Sequence, residues 1–338
     1  MNLQPFLFTL RPLFMLSFED ILLKLEKEIK YINFDYPPKS LYDPIEYILA
    51  LGGKRIRPAL ALMACNIYKE NVDDTLKPAI GMEVFHNFTL LHDDLMDKAD
   101  KRRGKSTVHK VWNDNTAILS GDAMLIVAYK LIGETKPEHL KEILDLFTMT
   151  ALEICGGQQY DMEFETRDDV EEAEYLEMIR LKTAVLLACC LKTGAILGGA
   201  TKEDANHLYN FGINIGLAFQ LQDDLLDVYG DPVTFGKNIG GDILCNKKTF
   251  LLINALKRSS EEQKDTLESL INQTNVNAEE KIKAVTTIYN DLDLKALTEN
   301  KMIEYYNTAM KHLSSLQVPS EKLTILKNVC DRLMYRQS

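Results

Sequence analysis

The sequence predicts an all-α protein, built as one helical bundle with a deep central cavity between long helices. Apolar residues recur at helical spacing along most of the 338 residues, and no alternating run bounded by hairpin-turn residues indicates a β-strand. Two long predicted helices, at 79–97 and 206–229, carry acidic clusters and lie far apart in the sequence. The fold must therefore bring these two helices together around a shared cavity.

Two short acidic clusters nearly repeat each other, one late in each long predicted helix. Residues four apart stack on one face of a helix, so each cluster presents a pair of carboxylates. Most charge clusters form a solvated face, but the flanks at 88–91 and 215–221 are mostly apolar or small. Carboxylates in such surroundings need a cation between them, and Mg²⁺ prefers oxygen ligands. The clusters comprise Asp93, Asp94 and Asp97 in the first helix and Asp223, Asp224 and Asp227 in the second.

Composition limits the classes of function. A net charge of −11 gives no bulk electrostatic support for nucleic-acid binding. The six cysteines show no CxxC pair and no regular spacing, which favours a reducing, cytoplasmic compartment and speaks against a zinc site. No run of about 18 uncharged apolar residues predicts a membrane span, so we expect no stable membrane insertion. Small basic clusters near the acidic ones suggest instead a site for metal and phosphate.

The first 16 residues are apolar, but Pro5, Arg11 and Pro12 interrupt them. They also lack a basic start and a small-residue cleavage site, so a signal peptide is poorly supported. We therefore treat residues 1–16 as an extension that need not belong to the fold, and residues 17–338 as a single helical domain. Ser17 can cap its first helix, predicted at 17–32.

A basic segment precedes the third predicted helix. It follows a short helix predicted at 44–51, and Pro58 suits the first turn of the next helix, which runs to about residue 68. Helix starts attract anions, and Lys54 and Arg57 add positive charge at the same end. The segment is either an anion anchor or a solvated basic turn, and its sequence alone supports both equally.

The first long helix also carries His86, two turns before the acidic cluster and on the same face. A lone histidine on an apolar helix is more often a core residue than a ligand. A polar, basic loop at 98–110 follows, in which Arg102 and Arg103 lie just past the cluster. Three more helices are predicted, at 115–132, 138–159 and 170–197.

Polar residues within the apolar helices mark further candidates. Lys182 and Thr183 lie inside the helix at 170–197, where a lysine needs an exit to solvent or an anionic partner. On the second long helix, two glycines and Gln220 share the face of the acidic pair, which leaves space and supplies a polar tip. A glycine-rich loop at 230–246 precedes Lys247, and charged helical pieces continue to residue 337.

These residues together indicate a diphosphate as the group that the site binds. Two carboxylate pairs can hold several Mg²⁺ ions, which also bind substrate phosphates. Departure of a metal-bound diphosphate would leave a carbocation in a dry cavity, where Gln220, Thr183 and the Lys182 carbonyl can stabilise it. No Ser-His-Asp or Cys-His arrangement points to a covalent intermediate.

At this point the sequence resembles the all-trans isoprenyl diphosphate synthases of the polyprenyl synthetase family. The matching stretches run in the family's order over most of residues 52–249, and together they are highly specific. They are GGKRIRP (52–58), LLHDDLMD (90–97), RRGKSTVH (102–109), GDAML (121–125), KTA (182–184), FQLQDDLLD (219–227), and GKNIGGD with KKT (236–249). The resemblance implies an isoprenoid-synthase-type helical fold, usually a homodimer, which joins isopentenyl diphosphate head-to-tail to an allylic diphosphate.

The resemblance also implies a role for each matching residue. Lys54, Arg57, His86 and Arg103 would bind isopentenyl diphosphate. Asp93, Asp97 and Asp223 would hold Mg²⁺, three ions per site with substrate bound, with Asp94 and Asp227 in support. Arg102, Lys182, Lys237 and Lys247 would bind the allylic diphosphate. Thr183 and Gln220 would face the allylic cation, and the released diphosphate would take the final proton. Ser106 and Phe250 depart from the family's usual Pro and Leu without touching an implied ligand.

Product length is predicted from the residues just before the first acidic cluster. Phe88 lies five residues before Asp93, about 7 Å along the helix axis. The helical wheel alone points Thr89 toward a bound tail, whereas the resemblance makes Phe88 the floor; ordinary core packing is the alternative for Phe88. We expect a short product, farnesyl or geranylgeranyl diphosphate (C15 or C20).

Three other functions share part of this pattern. A terpene cyclase would use the aspartates but would not need the basic anchor of Lys54, Arg57 and Arg103. A non-catalytic partner subunit tends to lose one acidic cluster, and both are intact here. A longer-chain polyprenyl diphosphate synthase differs in the depth of its cavity, which the sequence leaves open.

Overall fold

In the computed structural model, which describes residues 15–231, 239–272 and 277–334, the chain is almost entirely helical. The predicted all-α class is confirmed. The first part contains α1 (Phe18–Lys30), α2 (Lys39–Ala50), α3 (Ile56–Tyr68), α4 (Asp73–Met96), α5 (Val108–Val111), α6 (Asp114–Ile132) and α7 (Pro137–Phe164). Next come α8 (Glu172–Ile179), a π-helical turn (Arg180–Ala184), α9 (Val185–Gly198) and α10 (Lys202–Tyr229). The last part contains α11 (Gly241–Leu244), α12 (Phe250–Arg258), α13 (Glu261–Asn272), α14 (Ala278–Asp291), α15 (Leu294–Ser314), a 3₁₀ turn (Ser320–Leu323) and α16 (Thr324–Met334).

Helix starts follow the local chemistry, but α10 begins at Lys202, four residues before its predicted start, and two other starts also need correction. Ser17 caps α1 as predicted: its hydroxyl accepts the Asp20 amide at 3.0 Å, and the Asp20 carboxylate accepts the Ser17 amide in return. The predicted starts of α2 and α4 were wrong, because each was placed at or just after a proline. Both helices continue through that proline, and Pro44 and Pro78 are each the sixth residue of their helix.

One small hairpin lies in the predicted loop at 98–110. Its strands, β1 (Lys101–Arg102) and β2 (Lys105–Ser106), are antiparallel, with Arg102 opposite Lys105. Arg103 and Gly104 form its turn at φ 51° and 76°, which suits a two-residue hairpin. The prediction of no β-structure was wrong here, because strands of two residues are too short to leave an alternating pattern.

Small residues bring the central helices close together. A Cβ added to Gly194 of α9 would lie 1.9 Å from the Ala61 carbonyl oxygen of α3, and one added to Gly212 of α10 would lie 2.5 Å from the Ala188 Cα of α9. Nearly every residue of α9 is buried, so this helix forms the middle of the main hydrophobic core. The two helices that carry the acidic clusters, α4 and α10, both pack against it.

Within the described residues, two helical stretches are long and apolar enough to cross a membrane by length and composition alone, Asp114–Ile132 and Glu172–Gly198. The apolar window of Glu172–Gly198 is 78% buried inside the fold, as expected of a core helix. That of Asp114–Ile132 is 39% buried. This helix, α6, therefore leaves an apolar face uncovered in the single chain.

Candidate active site

The π-helical turn brings the two acidic clusters to one site. Its Lys182 Nζ lies 3.1 Å from Asp93 Oδ1 in the first cluster. The next residue, Thr183, donates its hydroxyl to Gln220 Oε1 at 3.2 Å, one turn before the second cluster on α10. The predicted convergence of the two long helices around a shared site is thus present in the fold.

In the first cluster, Asp94 differs from its neighbours. It is buried and accepts a bidentate pair from Arg102, with Nη2 at 2.7 Å and Nε at 2.9 Å. This pair ties the hairpin to α4. In the described chain, Arg102 and Asp94 are therefore each other's ion-pair partners. Desolvation and repulsion from Asp93 raise the pKa of Asp97 to about 6. A cation bound between Asp93 and Asp97 would therefore relieve the repulsion between their carboxylates.

In the second cluster, Asp224 is the inward-facing member. It is buried, its carboxylate accepts the Tyr175 hydroxyl, and Gln220 Nε2 lies 3.4 Å away. Burial, together with Asp242, raises the pKa of Asp224 to about 7, although the bond from Tyr175 lowers it. Asp227 accepts the Asp242 amide at 3.0 Å, which fixes the segment that leads to Lys247.

Asp161 of α7 is a member of the site that the sequence reasoning missed. Its Oδ2 accepts Lys182 Nζ at 2.6 Å and lies 3.9 Å from Lys247 Nζ. Burial works against the charge on Lys247, but Asp161, Asp242 and the two clusters hold its pKa above the usual range. Asp161 was missed because the predicted helix stopped at residue 159, whereas α7 continues to Phe164 and carries Asp161 into the site.

The four residues expected to bind isopentenyl diphosphate line one cavity of about 430 Å³. Arg57 Nη1 lies 3.1 Å from His86 Nε2. Desolvation and the neighbouring Arg57 lower the pKa of His86 well below its usual value, so His86 is neutral and accepts from Arg57. The chain approaches Arg103 closely at Gly53, where φ is 144° and an added Cβ would lie 2.9 Å from Arg103 Nη2. These residues are Lys54, Arg57, His86 and Arg103.

A second cavity of about 290 Å³ adjoins the first and shares Arg57 and His86 with it. Its lining includes the polar Asp93, Lys182 and Thr183, and most of its wall is apolar. Side by side, a cationic pocket and a pocket with carboxylates and apolar walls can hold two diphosphate groups and a hydrocarbon tail. The apolar side includes Phe88, Thr89, Met96, Ile154, Cys155, Met162 and Leu186.

Phe88 and Thr89 both lie on the wall of this second cavity and both are half-buried. The Phe88 ring packs against Phe85 and His92, with centroids 5.5 and 4.7 Å away. Thr89 donates its hydroxyl to the His86 carbonyl at 2.8 Å. Both residues suggested by the sequence therefore line this cavity.

Two further basic residues, Lys237 and Arg55, lie in stretches of the sequence that are predicted to bind diphosphate. Lys237, expected to bind the allylic diphosphate, lies outside the described residues. Arg55, which stands between Lys54 and Arg57, is buried, and its guanidinium binds Glu83 at 2.7 Å, Glu26 at 3.1 Å and the Leu49 carbonyl at 2.8 Å. Arg55 lines the cationic pocket as well, but its guanidinium is held by these three partners.

The carboxylate set fits a hard divalent cation. Among the described ranges, no three His, Cys, Asp or Glu side chains lie close enough together to hold a metal by themselves. Mg²⁺ is usually bound by one or two carboxylates together with waters and substrate phosphates, so a pair of aspartates is sufficient. The raised pKa of Asp97 beside Asp93 marks the excess negative charge that such a cation would relieve.

Comparison with known proteins gives one consistent result. The polyprenyl synthetase family profile matches residues 38–289. The chain is 39% identical over 273 residues to a short chain isoprenyl diphosphate synthase of Methanocaldococcus jannaschii, covering 80% of this chain and 82% of that protein. It is 37% identical over 302 residues to a geranylgeranyl diphosphate synthase of Methanosarcina mazei, covering 89% and 91%. A crystal structure of a geranylgeranyl pyrophosphate synthase superposes with a TM-score of 0.91 at 43% identity, covering 96% of this chain and all of the other.

Proposed function

Because the chain belongs to the polyprenyl synthetase family and is a short-chain prenyltransferase, we propose that it joins isopentenyl diphosphate to an allylic diphosphate. Diphosphate is released and the all-trans chain grows by five carbons. The observation that carries the proposal is the pair of adjoining cavities that share Arg57 and His86. Two substrates bound in them would meet at this shared wall.

The cationic pocket is the proposed site for isopentenyl diphosphate. Lys54, Arg57 and Arg103 supply positive charge, and His86 accepts from Arg57 and so fixes its guanidinium. Burial lowers the pKa of Arg57 and Arg103, and the nearby Glu83 carboxylate only partly offsets this cost of holding the cations together. A diphosphate would relieve that cost, which favours its binding there.

The acidic clusters are the proposed site for the metal-bound allylic diphosphate. Asp93, Asp97 and Asp223 would hold Mg²⁺, and we expect three ions with substrate present. When bound, the metal would neutralise the diphosphate and make it a better leaving group. Lys182 and Lys247, held by Asp161, would contact the same diphosphate from the other side.

Ionisation of the allylic carbon–oxygen bond would place a cation beside the π-helical turn. The Thr183 hydroxyl donates to Gln220 Oε1, so its oxygen lone pairs are free to face that cation. The apolar wall of the cavity excludes water, which would otherwise capture it. The isopentenyl double bond would then attack, and the released diphosphate would accept the proton that is lost.

We propose a short product, farnesyl or geranylgeranyl diphosphate, with Phe88 and Thr89 as the residues that limit the tail. Their position on the wall of the second cavity supports this assignment. A longer-chain product would require the tail to pass the stack of Phe88 on Phe85 and His92.

A homodimer is the assembly we propose. Helices α6 and α7 expose a set of large apolar side chains that a second copy would cover. We expect Leu119→Asp to yield monomers in light scattering while the wild type is dimeric. The six free cysteines support a separate proposal, that the enzyme is cytoplasmic. The dimer proposal rests on the side chains that α6 and α7 expose. The exposed side chains are Ile118, Leu119 and Ile126 of α6 and Met149 and Leu152 of α7.

Diphosphate release, measured with each substrate alone and with both, tests the proposed reaction. We expect release only when isopentenyl diphosphate, geranyl diphosphate and Mg²⁺ are all present, with loss on chelation by EDTA and in Asp93→Asn. Release from the allylic substrate alone would identify a terpene cyclase, and no release would identify a non-catalytic partner subunit. The product mass gives the chain length.

A further inference from the structure

The turn that carries Lys182 and Thr183 is not α-helical. Between α8 and α9, residues Arg180–Ala184 form a π-helical turn in which the Val185 amide bonds to the Arg180 carbonyl, five residues back. Such turns hold one extra residue and are less stable than the α-helix, so they persist where the surroundings stabilise them. The surroundings of this turn therefore decide where the two side chains point.

A glycine from α7 touches the backbone of this turn directly. A Cβ added to Gly157 would lie 2.4 Å from the Lys182 amide nitrogen and 2.8 Å from the Leu181 carbonyl carbon. These neighbours are main-chain atoms, so no flexible side chain could move aside. From the opposite side, a Cβ on Gly216 of α10 would lie 2.5 Å from the Ala184 Cα. The turn is thus held between two helices at positions where only glycine fits.

The backbone conformation of Gly157 does not explain why this residue is a glycine. It lies inside α7 without a positive φ, where glycine is less favourable than alanine by about 1 kcal/mol. The adjacent Gly156, in the same helix, has no atom within 4 Å of an added Cβ. The close approach at Gly157 alone therefore accounts for its lack of a side chain.

We propose that Gly157 is a positioning residue, which seats α7 against the π-helical turn so that Lys182 reaches both Asp93 and Asp161. Asp161 lies one turn further along α7, so the contact at Gly157 sets the spacing of both partners of the Lys182–Asp161 pair. The inference rests on the proposed function, in which Lys182 contacts the allylic diphosphate. A methyl group at Gly157 must separate the helix from the turn by about 1 Å to reach ordinary contact distance, and a displacement of that size can cost about 10²-fold in rate.

The test compares Gly157→Ala with its matched control, Gly156→Ala, which adds the same methyl group one residue away. We expect Gly157→Ala to lower kcat about 10²-fold and to raise KM for geranyl diphosphate. KM for isopentenyl diphosphate should stay within about twofold, because no residue of the turn lines the cationic pocket. Gly156→Ala should keep kcat and both KM values within about twofold, with the same mass in light scattering.

A double-mutant cycle distinguishes positioning from general damage. If Gly157 acts through Lys182, adding Gly157→Ala to Lys182→Ala should lower kcat by no more than about threefold beyond Lys182→Ala alone. Full additivity of the two losses, or a Gly157→Ala enzyme that matches Gly156→Ala, would overturn the inference. Should Gly157→Ala fail to fold, Gly216→Ala presses on the same turn from α10 and enters the same cycle. A wild-type enzyme without condensation activity would instead overturn the proposed function.

Discussion

The Nζ of Lys182 lies 3.1 Å from Oδ1 of Asp93, so the π-helical turn and the first acidic cluster meet across the cavity. This contact joins residues 89 positions apart in the sequence. Lys182 also binds Asp161, so this lysine links the π-helical turn to both α4 and α7. This lysine neutralises part of the carboxylate cluster, whose members would otherwise repel one another.

Replacing Asp161 tests the residue that the sequence reasoning missed. Asp161→Asn keeps the shape of the side chain but removes the charge that holds Lys182 and Lys247. We expect kcat to fall by about 10- to 100-fold, because both lysines lose their fixed positions. Steady-state assays of diphosphate release measure the effect. Glu163→Gln, at an exposed position on the same helix, is the control and should retain wild-type kcat; equal rates for both variants would contradict the role of Asp161.

The sequence was informative where function requires a residue type at a fixed local spacing. The aspartate pairs and the basic segment at Lys54 and Arg57 are of this kind, and the structure brings them to adjoining cavities. Asp161 was not recognisable because its role depends on a lysine 21 residues away, on another helix. The π-helical turn could not be predicted from the sequence either. Its hydrogen bonding depends on contacts from α7 and α10 rather than on its own residues.

The sequence alone also does not distinguish Arg55, whose guanidinium is bound by Glu83, from Arg57 two residues later, which contacts His86. The burial of Arg55 leads to a prediction about stability. Arg55→Met would remove the guanidinium that lies 2.7 Å from the buried Glu83 carboxylate and leave it, among the described residues, only the Asn87 amide at 3.2 Å. We expect a loss of about 3–5 kcal/mol in the free energy of unfolding, because an unpaired buried charge is costly. Urea unfolding measures it.

Two comparisons control for other effects of Arg55→Met. The double variant Arg55→Met, Glu83→Met should recover most of the lost stability, since no buried charge remains unpaired. Lys24→Met, which breaks an exposed pair with Asp73, should cost less than about 1 kcal/mol. A double variant as unstable as Arg55→Met would show that the ion pair itself is not the cause.

The lowered pKa of His86 predicts a pH dependence of stability. Desolvation and Arg57 keep His86 neutral in the folded chain, whereas its ordinary value is 6.5. Below that pH the unfolded chain takes up a proton that the folded chain does not, so the free energy of unfolding falls as the pH falls. At pH 5.5 the loss from this one group is on the order of 1 kcal/mol.

His86→Gln cannot titrate, so it should escape that loss. Urea unfolding of both proteins at pH 7.5 and 5.5, at equal protein concentration, measures the difference in stability between them. We expect this difference to shift by on the order of 1 kcal/mol in favour of His86→Gln at the lower pH. A difference that is the same at both pH values would mean that His86 titrates normally in the folded protein.

Phe88 supports the prediction with the clearest chemical readout. Its ring lies on the wall of the second cavity and is held in place by the rings of Phe85 and His92. Phe88→Ala removes this ring from the wall and so opens space for a longer tail. We expect the main product to lengthen by at least five carbons, measured as its mass.

Phe85→Leu is the control for Phe88→Ala. Phe85 is buried behind Phe88 and does not line the cavity, so this substitution disturbs the aromatic packing without opening the wall. It should leave the product mass unchanged. Thermal unfolding of both variants shows whether they remain folded at the assay temperature. If Phe88→Ala stays folded and active but yields the wild-type product, Phe88 is ordinary core packing, and Thr89→Phe becomes the substitution that should shorten the product.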